Sequence, residues 1–69
     1  MNLGRRIAVL RVLRGLSQKE LANEVGVSQG SIASIEGGGK FPRLKNLEKI
    51  ALVLSVTSGN LLDGMTIDI

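Results

Sequence analysis

Apolar residues recur at helical intervals along this chain, and apolar–polar alternation of the strand type is confined to the last few positions. Leu3, Ile7 and Leu10, continued by Arg14, make one stripe; Leu44, Leu47, Ile50, Ala51 and Leu54 make another. The residues between stripes are those that start and stop helices. Asn2 can cap a first helix, and Gly15 supplies a left-handed residue to end it. Ser17-Gln18-Lys19-Glu20 has capping-box spacing, and the helix it opens stops at Gly26. Ser28 caps a third helix ending near Glu36, after which Gly37-Gly38-Gly39 and Pro42 forbid continuation. The fourth helix has a poor cap in Arg43, and a short fifth one starts near Thr57 and ends at Gly64. The expectation is an all-α, compact five-helix domain, with helices at about 3–14, 18–25, 29–36, 44–54 and 58–63. Residues 1–64 form the domain and residues 65–69 a short tail.

A chain of 69 residues holds one small core, and such domains often add disulfides or a metal. Here there is no Cys and no His, so a zinc site of Cys and His ligands is excluded and no cofactor is expected. Phe41 is the single aromatic residue, which argues against a single-strand binder that stacks bases on exposed rings. No apolar run approaches the roughly 20 residues that span a bilayer. The N-terminus is basic at Arg5 and Arg6, but Arg11 and Arg14 interrupt the following apolar stretch where a secretion signal would be uncharged, so a soluble, intracellular protein is expected. The net charge of +3 favours an acidic partner without naming one.

The informative segment runs from Gln18 to Glu36. Two short helices joined by a tight turn containing Gly constitute a helix-turn-helix arrangement. Ala22 is small where the two helices must cross, and Gly26 turns the chain through a positive φ. Leu21, Val25, Val27, Ile32 and Ile35 face inward and set the crossing angle. Ser28 leaves the first turn of the third helix open.

The run Gly15-Leu16-Ser17-Gln18-x-x-Leu21-Ala22-x-x-Val25-Gly26-Val27-Ser28-x-x-Ser31-Ile32-x-x-Ile35-Glu36 resembles the phage repressor/Cro-like, or XRE-type, helix-turn-helix family. The likeness continues through Pro42-x-Leu44-x-x-Leu47-x-x-Ile50-Ala51 to Leu61-Leu62. It implies a lambda-repressor-like fold and a DNA-binding transcriptional regulator, of the repressor or restriction–modification controller type, in a prokaryotic or phage-infected cytoplasm. It also implies that the third helix lies in the major groove, with Ser28, Gln29, Gly30, Ser31, Ala33 and Ser34 toward the bases. Gln29 stands out, because its amide both donates and accepts and so matches adenine N6 and N7. Ser17, Gln18, Lys19, Gly39, Lys40 and Arg43 fall at positions that meet the phosphate backbone, helped by the partial positive charge of a helix N-terminus. Arg11 and Glu36 match a structural pair tying the third helix to the first.

The chain departs from the family in two places. Gly30 stands where most relatives carry a long polar side chain, which fits either close backbone approach to DNA or neutral drift. Gly37-Gly38-Gly39 replaces a sequence that usually ends in a cation, which implies either weaker phosphate binding or more of it carried by Lys40. A third feature is surplus apolar residues: Val9, Val12 and Leu13 lie off the first helix's inner stripe, and Leu52 sits where charge is usual. A helix apolar on two faces is buried on two faces. Leu52, Val53, Leu62, Met65 and Ile67 are therefore candidates for a homodimer contact on a pseudo-palindromic operator. The competing reading folds the tail back over Val9, Val12 and Leu13 within one subunit.

Other chemistry fits poorly. Gly37-Gly38-Gly39-Lys40 is not a nucleotide loop, since Phe41 follows the lysine and a helix precedes the glycines. No nucleophile–base pair is evident, so an enzyme is not expected, nor is a small-molecule ligand. The remaining alternative is a protein-interaction module, such as an antitoxin or accessory factor on the same fold.

Overall fold

The computed structural model describes residues 2–56 and 59–61. Four helices follow one another, α1 (Leu3–Leu13), α2 (Gln18–Val25), α3 (Gln29–Glu36) and α4 (Leu44–Val53), and residues 59–61 are again helical. No strand occurs among the described residues.

Local chemistry explains most of these boundaries. The Asn2 side chain accepts from the Arg5 amide at 2.8 Å. Ser17 and Glu20 close a full capping box: the Ser17 hydroxyl accepts from the Glu20 amide at 3.0 Å, and the Glu20 carboxylate accepts from the Ser17 amide at 2.8 Å. The Ser28 hydroxyl accepts from the Ser31 amide at 3.1 Å. Each cap satisfies a helix amide that has no partner inside its helix. At the C-terminus of α2, Gly26 takes φ +88°, a region that side chains resist, and the chain reverses there into α3.

The other three helices end in one shared pattern. In α1 the Gly15 and Leu16 amides return to Val12 and Arg11; in α3 the Gly38 and Gly39 amides return to Ile35 and Ser34. In α4 the Ser55 and Val56 amides return to Leu52 and Ala51. These are Schellman closures, which need a left-handed residue. Ser55 takes that role at φ +61°, the single positive-φ residue other than glycine among the described residues.

α2 packs on both α3 and α4, and α1 packs on α3. Between them lies an entirely aliphatic core that includes Leu3, Ile7, Leu21, Val25, Ile32, Leu47, Ile50, Leu54 and Leu61. Burying each such side chain stabilises the fold by roughly 1.5–3 kcal/mol before chain entropy is counted.

Two positions depart from the apolar pattern of the sequence. Leu44 shares a stripe with Leu47, Ile50 and Leu54 yet is 68% exposed. It opens α4, and helical side chains lean toward the N-terminus, so the Leu44 side chain extends past the packed length of the helix. Arg14, the last member of the α1 stripe, is exposed as well. Its Nε donates to the Leu54 carbonyl at 2.9 Å, satisfying a C-terminal acceptor of α4 and joining the ends of two helices.

Candidate nucleic-acid interface

The first turn of α3 stands at the surface. Ser28, Gln29 and Gly30 are exposed, as are Ala33 and Ser34 one turn on, while Ser31 is half-buried. The opposite side of the same helix holds Ile32 and Ile35 in the core. This division follows from the helical period: the two isoleucines anchor one side, so the five small or amide residues must form the other. Gln29 is the one long side chain among them.

The backbone-contact candidates come before and after α3 in the chain. Ser17 and Lys19, at the opening of α2, are exposed. Gly39, Lys40 and Arg43 lie beyond the C-terminus of α3, all exposed. Lys40 is fastened to α3, because its Nζ donates to the Ser31 hydroxyl at 3.2 Å. Pattern and spacing did not reveal this contact, since it joins a loop to a helix face nine positions earlier.

At the C-terminal end of α3 lies a four-residue polar network. Arg11 Nε donates to Glu36 Oε2, 2.6 Å away, and Arg11 Nη2 to Glu36 Oε1 at 3.1 Å. Arg11 Nη1 donates to the Leu16 carbonyl at 2.8 Å, and Gln18 Nε2 donates to Glu36 Oε1 at 3.0 Å. The Glu36 hydrogen bond raises the Arg11 pKa above its ordinary value despite partial burial. Gln18, for which the family resemblance implies a phosphate contact, braces the C-terminal end of α3. A primary amide has a second N–H and a carbonyl oxygen, so the two roles are compatible.

The dimer candidates divide between regions. Leu52 is 78% exposed and Val53 is half-buried, while Leu62, Met65 and Ile67 lie outside the described residues. Val9, Val12 and Leu13 are exposed and, with Arg5 and Ala8, line a shallow apolar groove along α1. Among the described residues, no cluster of acidic residues is arranged to hold a metal ion, and no helix is long and apolar enough to cross a membrane.

Comparison with known proteins places these features in context. Residues 7–61 match the family model described as helix-turn-helix. The chain is 41% identical over 46 residues to the cryptic phage CTXphi transcriptional repressor RstR of Vibrio cholerae, covering 67% of this chain and 41% of that protein. It is 39% identical over 62 residues to the HTH-type transcriptional regulator SinR of Bacillus subtilis, covering 88% of this chain and 56% of that one. The chain therefore spans less than two thirds of the length of either relative. Among solved structures it is similar to SinR, a master regulator for biofilm formation, in complex with DNA: TM-score 0.84 at 38% identity, covering 90% of this chain and all of that one.

Proposed function

Because this chain belongs to the XRE-type helix-turn-helix family, we propose that it binds double-stranded DNA sequence-specifically and regulates transcription, most simply as a repressor. The observation that carries this reading is the exposed first turn of α3, Ser28-Gln29-Gly30, presented by a helix whose other side is locked into the core. A major groove admits an α-helix, and this one can enter with its N-terminal end leading. Gln29 would pair with an adenine edge, Ser31 and Ser34 with neighbouring base edges, and Ala33 with a thymine methyl. Ser17, Gln18, Lys19, Gly39, Lys40 and Arg43 would hold the phosphates on either side and fix the register.

The proposal includes a homodimer, with the exposed Leu52 at its contact and residues 65–69 contributing to it. Two copies would set their recognition helices about 34 Å apart, matching successive major grooves of a pseudo-palindrome. Recognition of this kind needs positioning and hydrogen bonding alone, so the reading assigns no catalysis, cofactor or effector. The place of action is the cytoplasm, where the DNA of a bacterium or phage lies.

Selection from a randomised duplex pool tests the reading directly. The expected outcome is an enriched two-fold-related half-site, bound far more tightly than random duplex and with affinity falling steeply as salt rises. Equal binding to selected and random duplex would overturn it and leave the protein-interaction module as the better account.

A further inference from the structure

Gly4 lies in the first turn of α1, on the same side of that helix as Arg11 two turns later. It is buried, and its Cα faces the last carbonyls of α3. A β-carbon built on Gly4 would overlap the Ile35 carbonyl oxygen outright and lie 2.9 Å from that of Glu36. Both obstacles are main chain, so no side-chain rotation can relieve them. The neighbouring glycine position in α3 is the opposite case: a β-carbon on Gly30 meets only the Ser28 hydroxyl, at 3.9 Å.

We infer that Gly4 is a positioning residue for DNA recognition, setting how the recognition helix α3 lies on the scaffold; the inference rests on the DNA-binding reading above. Glu36 is held against α1 twice, by its main chain at Gly4 and by its carboxylate at Arg11. Two attachments at separate points on one helix define a direction, whereas one would leave a pivot. Any side chain at position 4 must push the C-terminal end of α3 and the first turn of α1 apart, and so change the angle between the two helices. The first turn of α3 remains anchored through Ile32 in the core, so the helix tilts rather than shifts as a whole. Base readout depends on donors meeting base edges at hydrogen-bond distance, and a tilt of this kind spoils it. Attraction to phosphates tolerates the same tilt, because it is long-ranged and independent of sequence.

The test compares Gly4→Ala with Ile50→Ala, which removes core volume on α4, a helix that packs on α2. Affinity is measured for the duplex selected from the random pool and for random duplex. Both variants are studied in trimethylamine N-oxide at a concentration that restores the full helical signal, so that unfolding does not hide the answer. Gly4→Ala is expected to lower the preference for the selected duplex by about tenfold, the scale of a mispaired base contact, while random-duplex affinity changes by less than about twofold. Ile50→Ala is expected to keep the parent's preference. In the free protein, the amide resonances of residues 29–36 should move in Gly4→Ala. An undiminished preference in Gly4→Ala, or an equal loss in both variants, overturns the positioning role while the DNA-binding reading stands. A parent that selects no duplex at all overturns both.

Discussion

The Arg11 guanidinium grips the Glu36 carboxylate at both oxygens, Nε to Oε2 at 2.6 Å and Nη2 to Oε1 at 3.1 Å, across twenty-five positions of sequence. The two side chains are only 14% and 7% exposed. Removing one partner of such a pair strands the other charge in a poorly solvated place, at a cost of about 3–5 kcal/mol. Glu36→Ala is therefore expected to lose stability by roughly 3 kcal/mol in denaturant unfolding. Its affinity for random duplex, corrected for the folded fraction, should fall much less. A melting temperature equal to the parent's would refute this.

Glu20 makes the opening of α2 sensitive to acid. Hydrogen bonds from the Ser17 amide and then the Ser17 hydroxyl hold its pKa below the ordinary carboxylate value. The unfolded chain then binds the proton more readily than the folded one. The stabilisation is fully present above the ordinary carboxylate pKa and is lost as pH falls through the lower folded value. Thermal melts of the parent and Glu20→Gln across the acid range should show the parent more stable near neutrality, with the difference closing as pH falls. A constant difference at every pH would contradict the assignment.

Gly30 lies within α3, where a β-carbon would meet the Ser28 hydroxyl at an ordinary contact distance of 3.9 Å. Glycine inside a helix costs about 0.5–1 kcal/mol relative to alanine, so Gly30→Ala should stabilise the free protein by that amount. Affinity for the selected duplex is expected to fall, because the added methyl group keeps the backbone from the groove floor. Stabilisation with unchanged affinity would mean that the glycine serves no purpose in binding.

Lys40 is exposed and tied to Ser31 on α3. If it neutralises one phosphate, Lys40→Gln should reduce the slope of log affinity against log salt by about one and weaken selected and random duplex alike. An unchanged slope would place Lys40 off the DNA.

Leu52 is 78% exposed on α4. Leu52→Lys should leave the melting curve of the monomer unit nearly unchanged while shifting sedimentation toward the monomer and weakening binding to the full two-fold site. A parent that sediments as a monomer, free and on DNA, would remove the dimer from the proposal.

Much of the architecture is written in contacts between near neighbours. Asn2, Ser17 and Ser28 each bond an amide three positions ahead, and Gly26 turns the chain by its own backbone freedom, so the bounds of α2 and α3 follow from residue types in order. The helical period then assigns Ile32 and Ile35 to the core and Gln29 and Ser34 to the surface, which makes the helix-turn-helix legible before any fold is known. Tertiary structure decided what depends on how the helices cross: the main-chain contact of Gly4 with the end of α3, the Gln18 amide on Glu36, the Lys40–Ser31 bond, and Arg14 reaching the Leu54 carbonyl. It also decided that Leu44, equal to its stripe-mates in pattern, extends beyond the packed core into solvent. Caps and turns are settled within one turn of chain, whereas these contacts join residues that only a particular packing angle brings together, and periodicity carries no information about that angle.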